Sequence, residues 1–335
     1  MRLVTFRNGG RRAIGAVHGS SVVDLQLAYA RHLAEVEGDP RAEQIAAVRI
    51  PAEMTAFIAG LEPSWRAAAQ ALAFAGAQPD GAEADGLTHD LHEVKLLAPL
   101  VPPVILNSGQ NYWDHRDEKP AVEQHDPEFF LKSPLAVIGP DDPVILDPAV
   151  TKKLDYEVEL GVVVGKPGRH IPPGQALEHV FGYVVTNDVT ARDRQAVPHP
   201  EGGFEYRLGP GKNFDTSAPI GPWIVTRDEV PDPQNLNLRT LVNGELRQSN
   251  STAKMIWDVA TIVSFFSDFY TLQPGVLIET GTPGGTAWAT DPEIGGKPFA
   301  RDDVKRGGYM QAGDVVTVEI DGIGSLTNPI VSPHE

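Results

Sequence analysis

The sequence predicts an α+β protein, mainly β, in which a small N-terminal α/β domain precedes a larger strand-rich body. Three observations predict it. From Lys95 onward the apolar runs are short and bounded by Pro or Gly: Val104–Leu106, Ala136–Ile138, Val144–Leu146, Glu157–Val164, Val180–Val185, Trp223–Thr226, Leu236–Val242, Val276–Thr280 and Val315–Ile320. Runs of that length and spacing suit strands. The 335 residues include 33 Gly and 29 Pro, which mark many turns. Before residue 95, Ala-rich stretches with helical periodicity dominate instead.

Taken in order, residues 1 to 25 read as short strands, Leu3–Phe6, Ala13–His18 and Ser21–Leu25, with turns at Asn8-Gly9-Gly10 and His18-Gly19-Ser20. Helical patterns follow over approximately 26–37, 41–48 and 51–76. Glu62-Pro63-Ser64 divides the last in two, with Pro63 near the start of the second piece, where its missing N–H costs nothing. Residues 77 to 90, with the turn signals Pro79-Asp80-Gly81 and Asp85-Gly86, read as a linker. The expected division is therefore residues 1–95 and 96–335. Within the second part, Thr252 to Thr271 has one helical pattern, with Ile256, Val259, Ile262, Val263 and Phe266 facing a core.

Composition removes several classes of function. Apolar residues make up 41% and charged residues 22%, ordinary for a globular chain. The net charge of −17 opposes nucleic acid or an anionic membrane as partner. There is no cysteine, so disulfides, thiolate nucleophiles and Cys-based metal sites are excluded. No apolar run approaches ~18 residues and the N-terminus lacks a signal-peptide layout, so a cytoplasmic location is expected. The chain has no Gly-x-Ser-x-Gly elbow, no Gly-x-Gly-x-x-Gly fingerprint and no His-Glu-x-x-His helix.

The chemistry concentrates between Leu154 and Asp193. In Leu154-Asp155-Tyr156-Glu157-Val158-Glu159-Leu160-Gly161-Val162-Val163-Val164 the alternation of a strand sends Glu157 and Glu159 to one face and apolar residues to the other. Two neighbouring carboxylates repel and need a compensating charge or open water. A second apolar run, Val180 to Thr186, ends at Asp188 and brings in a third carboxylate. An all-oxygen set suits Mg²⁺, Mn²⁺ or Ca²⁺; a solvated acidic face is the competing reading.

Asp155–Gly165, then Asn187-Asp188-Val189-Thr190-Ala191-Arg192-Asp193, Gly211-Lys212-Asn213-Phe214-Asp215-Thr216 and Gly281-Thr282-Pro283-Gly284-Gly285, taken in this order, resemble the fumarylacetoacetate hydrolase family. The resemblance covers roughly residues 95 to 331. It implies a mixed β-sandwich roll for the body, a divalent metal (Mg²⁺ or Mn²⁺, with Ca²⁺ in the same class) at Glu157, Glu159 and Asp188, and a homodimer. It also gives meaning to Tyr112, His115 and Glu118, which match a Tyr-x-x-His-x-x-Glu segment whose His–Glu pair activates water. By spacing alone, a helical turn places His115 beside Glu118, although an isolated pair of this kind is more often a solvated turn. The founding members carry a further metal-binding Asp just before this Tyr; here Gly109-Gln110-Asn111 offers no acid, so three protein ligands are expected.

The same resemblance makes Lys212 the active-site lysine, Gln195 a substrate ligand, and Gly281 and Thr282 a carboxylate-binding turn. Lys132 matches a lysine of many relatives and is a candidate for catalysis, against the alternative of a lysine whose stem merely lies along apolar surface. A phosphate-loop reading of Gly211-Lys212 fails, because Tyr206 and Asn213 stand where Gly and Ser or Thr are needed. Residues 196–207 and 289–313 look like insertions, either loops that set specificity or surface decoration.

The implied activity is hydrolysis of a carbon–carbon bond in an acylpyruvate-like β-diketo acid. Carbon leaves only if its charge spreads into an enolate, and a metal is the sink for that charge. His115, oriented by Glu118, would activate water, while Lys212 and Gln195 would stabilise the oxyanion. Oxaloacetate decarboxylation, 2-hydroxydienoate isomerisation and dehydration of a 2-keto-3-deoxy sugar acid share the enolate and stand as alternatives. A catalytically silent metal-binding scaffold is the remote one.

Overall fold

The computed structural model describes residues 1–78, 86–118, 125–298 and 304–333. The chain has the expected α+β, mainly β fold: two sheets packed face to face, with helices on the outer side of the larger one. That sheet has twelve strands. Its path runs Thr88–Asp90, Ser21–Asp24, Arg11–His18, Arg2–Asn8, Ala218–Thr226, Val180–Asn187, Val158–Val164, Leu277–Glu279, Ile105–Gly109 and Glu128–Lys132; the short strands Lys95–Leu97 and Val137–Ile138 join beside Arg2–Asn8 and Ala218–Thr226. The N-terminal strands thus continue the sheet of the body, with Leu3 paired to Ile224. The second sheet has five strands in the order Glu245–Ser251, Asn237–Val242, Val315–Ile320, Gly324–Val331 and Val144–Ile145.

The strand Val158–Val164 lies in the middle of the large sheet and is buried on both faces. Leu160, Val162 and Val164 pack with Leu238, Val316, Val318 and Leu326 of the small sheet and with Val259, Ile262 and Phe266 of a helix. On the opposite face Val163, Val184 and Leu277 pack with Leu25, Ala28, Phe57 and Ile58 from the N-terminal helices. At roughly 1.5–3 kcal/mol for each large apolar side chain withdrawn from water, these two cores anchor the central strand from both sides. Its acidic end, Glu157 and Glu159, cannot drift far.

Helix boundaries depart from the apolar periodicity at two places. The pattern over 51–76 resolves into Met54–Ala59 and Leu61–Gly76, parted at Gly60–Leu61 with Leu61 at φ 52°, and Pro63 falls in the first turn of the second helix. The expected helix over 252–271 is shorter. Asp258 accepts from the Thr261 N–H at 2.7 Å and starts the α-helix at Val259, which runs to Phe269; Thr252–Lys254 is a separate 3₁₀ turn. A side-chain acceptor for an orphan N–H outweighs the apolar periodicity upstream of it. The turn signals at Pro79-Asp80-Gly81 and Asp85 lie outside the described residues. Among the described residues no helix is long and apolar enough to cross a membrane.

Candidate active site

Strand register assembles the acidic centre. Val158 pairs with Asn187 and Glu159 with Thr186, and the Asp188 N–H continues the ladder by donating to the Glu157 carbonyl at 2.9 Å. Glu157, Glu159 and Asp188 therefore converge at one end of the sheet. Each offers an oxygen within 4.8 Å of the others, and all three side chains are buried. Burial first, and then the neighbouring Asp188, holds the Glu159 carboxyl well above the ordinary range.

Such a cluster persists only with compensation. Lys212 Nζ donates to Glu157 Oε2 at 2.7 Å and to Asp188 Oδ2 at 2.5 Å, and Lys132 Nζ donates to Asp188 Oδ1 at 2.5 Å. Arg192, fully buried, bonds Asp155 at 2.7 Å, Gln195 at 2.7 Å and Glu157. Burial alone would lower the pKa of Lys212, but Asp188 and Glu157 more than offset it and hold the lysine charged. Even so, the buried carboxyl groups of Glu118, Asp155, Glu157, Glu159, Asp188 and Glu279 outnumber the buried cations Lys132, Lys212 and Arg192. A divalent cation among three convergent oxygens would close most of that gap, and hard oxygen donors are the ligands such a cation prefers. The residues fit the group.

A narrow cavity opens on this centre, lined by Gly109, Gln110, His115, Glu128, Phe130, Glu157, Glu159, Asp188, Gln195, Leu208, Lys212 and Thr282. His115 lies within one short helical turn, Trp113–Asp117, and Glu118 ends it, with His115 Nδ1 2.8 Å from Glu118 Oε2. Glu118 is itself fixed, accepting from the Gly285 N–H at 2.5 Å and the Thr286 hydroxyl at 3.0 Å. Against an ionised Glu118, Nδ1 is the donor, and Nε2 lies on the side of the acidic centre, 4.0 Å from Glu157 Oε1.

Gly281 has φ 92°, and its N–H donates to Glu159 Oε2 at 2.7 Å; a Cβ there would lie 2.7 Å from Asn111 Cβ, so the close approach needs glycine. The Thr282 hydroxyl accepts from Gln248 Nε2 at 2.9 Å, which leaves its own proton to donate. Arg192 holds the Gln195 carbonyl oxygen, so the amide NH₂ is the end available to a ligand.

Of the residues singled out in the sequence, His115, Glu157, Glu159, Asp188, Gln195, Lys212 and Thr282 line the cavity together. Glu118 and Gly281 stand directly behind that wall. Lys132 does not reach it; its ammonium is enclosed by Asp188, the Val189 carbonyl at 3.3 Å and the Ser217 carbonyl at 2.5 Å, where it supports Asp188. Tyr112 is also set back, its ring fully buried in the core between the sheets and its hydroxyl pKa raised by burial first and then by Glu159. The inserted segments 196–207 and 289–313 pack on one another beside Gln195 through Ala196, Phe204, Ile294 and Tyr309, with Trp288, just ahead of the second segment, in the same cluster; residues 299–303 lie outside the described residues.

Sequence reasoning missed Arg192, although it stands within the quoted Asn187–Asp193 motif, and it missed Gln248, which no local pattern marks. It also missed Glu279. This residue pairs with Gly161 and Asn107 in the sheet, is fully buried, and neither carboxyl oxygen has a hydrogen-bonding partner among the described residues; the nearby Thr186 hydroxyl bonds the Glu159 carbonyl at 3.3 Å. Burial and then Asp188 push its pKa up from 4.5 to about 8. Between those values the folded state holds a proton that the unfolded state has released, so the metal-free protein loses stability as pH rises through that window. Glu279→Gln should therefore raise the melting temperature in EDTA by several degrees above pH 8 and change it little near pH 5. Equal gains at both pH values would show that Glu279 does not titrate in this way.

The fold and site together define a class: a β-rich domain that gathers three carboxylates, a His–Glu pair and a lysine around one cavity. Residues 104–331 match the family model described as fumarylacetoacetate (FAA) hydrolase C-terminal, and the chain belongs to that family. It is 38% identical over 239 residues to the mitochondrial oxaloacetate tautomerase fahd2 of Xenopus laevis, covering 71% of this chain and 69% of that one. It is likewise 38% identical over 253 residues to the oxaloacetate tautomerase YisK of Bacillus subtilis, covering 74% and 77%. Among solved structures it resembles a fumarylacetoacetate hydrolase from Exiguobacterium antarcticum, with a TM-score of 0.70, 33% identity and 99% of each chain covered. It also resembles a maleylpyruvate hydrolase from Sphingobium sp. SYK-6 in complex with manganese(II) and pyruvate, with a TM-score of 0.65, 27% identity and 99% of each chain covered.

Proposed function

We propose that the protein is a divalent-metal-dependent enzyme of enolate chemistry on β-carbonyl 2-oxo acids, with keto–enol tautomerisation of oxaloacetate as its leading reaction. The observation that carries this reading is the His115–Glu118 pair facing the buried Glu157/Glu159/Asp188 centre across one narrow cavity. The names of the curated relatives favour oxaloacetate over the acylpyruvate hydrolysis that the sequence alone puts first. Glu157, Glu159 and Asp188 would hold Mg²⁺ or Mn²⁺, which would supply the positive charge that makes a carbon acid beside a 2-oxo group easier to ionise.

The chain's own groups then divide the work. Thr282 donates its hydroxyl to the substrate carboxylate, and the Gln195 amide and the Lys212 ammonium face the oxygen on which negative charge develops. His115 Nε2 takes the proton from the carbon between the two carbonyls, and Glu118 stabilises the imidazolium that results. The same imidazolium gives the proton back, to oxygen for the enol or to carbon for the keto form. Lys132 and Arg192 keep Asp188 and Glu157 in place throughout.

Carbon–carbon hydrolysis is the second reading. It uses the same groups with His115 drawing a proton from water, and the structural likeness to a maleylpyruvate hydrolase supports it. Purified protein should be assayed for oxaloacetate enol–keto interconversion and for acylpyruvate cleavage, with EDTA and with Mn²⁺ restored. EDTA-sensitive interconversion is the expected result. Cleavage without interconversion would make the hydrolase reading the better one, and neither activity would remove both.

We further propose a homodimer. The strand Glu128–Lys132 ends the large sheet, and near it Leu131, Leu135 and Phe269 are 43%, 89% and 54% exposed, an apolar edge of the kind that association covers. Light scattering at micromolar concentration should return twice the chain mass; a single-chain mass would contradict the proposal.

A further inference from the structure

The two inserted segments have no part in the reaction described above, yet they meet on one side chain that touches its machinery. Residues Ala196–Pro198 and Phe204–Tyr206 form a small hairpin, and Ala287–Thr290 and Pro292–Ile294 form two successive 3₁₀ turns. Trp288 sits between them, 1% exposed. Its indole N–H donates to the Ile294 carbonyl at 3.0 Å, and its ring lies 6.0 Å from that of Tyr206 on the hairpin. The Arg192 guanidinium carbon lies 4.9 Å from the centre of the indole. The backbone N–H of Trp288 donates to Asp155 Oδ2 at 3.1 Å, the same oxygen that receives Arg192 Nε at 2.7 Å.

Arg192 is thus held from two sides, by Asp155 through Nε and by the indole ring of Trp288, over which its guanidinium carbon lies. Its two remaining nitrogens go to Gln195 and to Glu157. A planar guanidinium that must serve three partners at once can do so in only one orientation. An aromatic face fixes that orientation without competing for any of its N–H donors, and the attraction is strongest where water is excluded.

We propose that Trp288 is a positioning residue for the acidic centre: its ring, clamped by the hairpin and the 3₁₀ turns, sets the plane of Arg192, and through Arg192 the orientation of Glu157 and Gln195. The two insertions are then the outer support of the site. This inference rests on the metal-centred reading above and adds to it a residue that contacts neither metal nor substrate.

The test compares wild type with Trp288→Leu, which removes the aromatic face, and Trp288→Phe, which keeps a smaller one. Mn²⁺ affinity is measured by calorimetry on metal-stripped protein, together with kcat, KM and the melting temperature. Loss of an outer partner of a metal ligand costs about 10- to 100-fold in affinity, and that is the loss expected for the Leu variant, accompanied by a fall in kcat. The Phe variant should lie between, within a few-fold of wild type. A lower melting temperature with Mn²⁺ affinity and kcat unchanged in both variants would overturn the proposal, because a structural role alone gives that result. Should the Leu variant not fold, the Phe variant decides: a measurable drop in Mn²⁺ affinity supports the proposal, and wild-type affinity overturns it. Wild-type protein that bound no divalent cation would overturn the proposed function itself, and this inference with it.

Discussion

Glu157→Gln should weaken Mn²⁺ or Mg²⁺ binding by at least about 100-fold, at or beyond the upper end of the roughly 10- to 100-fold that an outer partner costs. Glu157 is the carboxylate on which the site converges: it receives Lys212 and Arg192, stands 4.0 Å from His115 Nε2, and is hydrogen-bonded through its backbone to Asp188. An amide keeps the shape but loses the charge and offers one oxygen instead of two. The fold should survive, because Lys212 retains Asp188 and Arg192 retains Asp155. Calorimetry on metal-stripped protein, with far-ultraviolet circular dichroism as the control, measures the effect. Unchanged affinity would mean that the cation binds elsewhere.

His115→Ala should do the opposite, lowering kcat by roughly 10²- to 10⁴-fold, the usual contribution of a positioned general base, while leaving Mn²⁺ and oxalate affinity nearly intact. The contrast follows from the geometry. His115 faces the centre through Nε2 but supplies none of the three convergent carboxylate oxygens. Metal loss acts on binding and on enolate charge together, so EDTA should damage affinity and turnover alike. Glu118→Gln should be milder than His115→Ala, since the imidazole itself remains and the Gly285 N–H can still hold the amide oxygen. Near-normal kcat in His115→Ala would remove the imidazole from the proton-transfer step.

Much of this was legible in the chain. Alternation placed Glu157 and Glu159 on one face, and the second strand ended where it had to for Asp188 to join them. The compensating cations were harder to read. Lys132, Arg192 and Lys212 lie 56, 4 and 24 residues from Asp188, and only sheet register and loop packing bring them to it. Tyr112 is another limit: nothing in the matched motif tells that its ring is fully buried in the core between the sheets and off the cavity wall.

Strands were missed where the signal was present but not used. Asn243 and Gly244, with φ 53° and 76°, form the two-residue turn that joins Asn237–Val242 to Glu245–Ser251, and an Asn-Gly between alternating runs is a strong hairpin sign. The strand Gly324–Val331 follows Val315–Ile320 through a turn containing Gly322 in the same way. Glu279 was hidden for a different reason. A single acid inside the apolar run Val276–Thr280 reads as the exposed side of a strand; pairing with Gly161 and Asn107 on both edges places it inside the large sheet, where its side chain is fully buried.

The central claim is that Glu157, Glu159 and Asp188 form the metal centre at which a 2-oxo acid is bound. Crystals of the protein soaked with Mn²⁺ and oxalate, measured at the manganese absorption edge, test it most directly. One anomalous peak is predicted within about 2.0–2.6 Å of an oxygen from each of the three carboxylates, the range spanned by oxygen ligands to Mg²⁺ and Ca²⁺, with oxalate on its open side toward Lys212 and Thr282. A peak elsewhere, or none with Glu157 and Asp188 still held by Lys132, Lys212 and Arg192 and Glu159 by the Gly281 N–H, would contradict it.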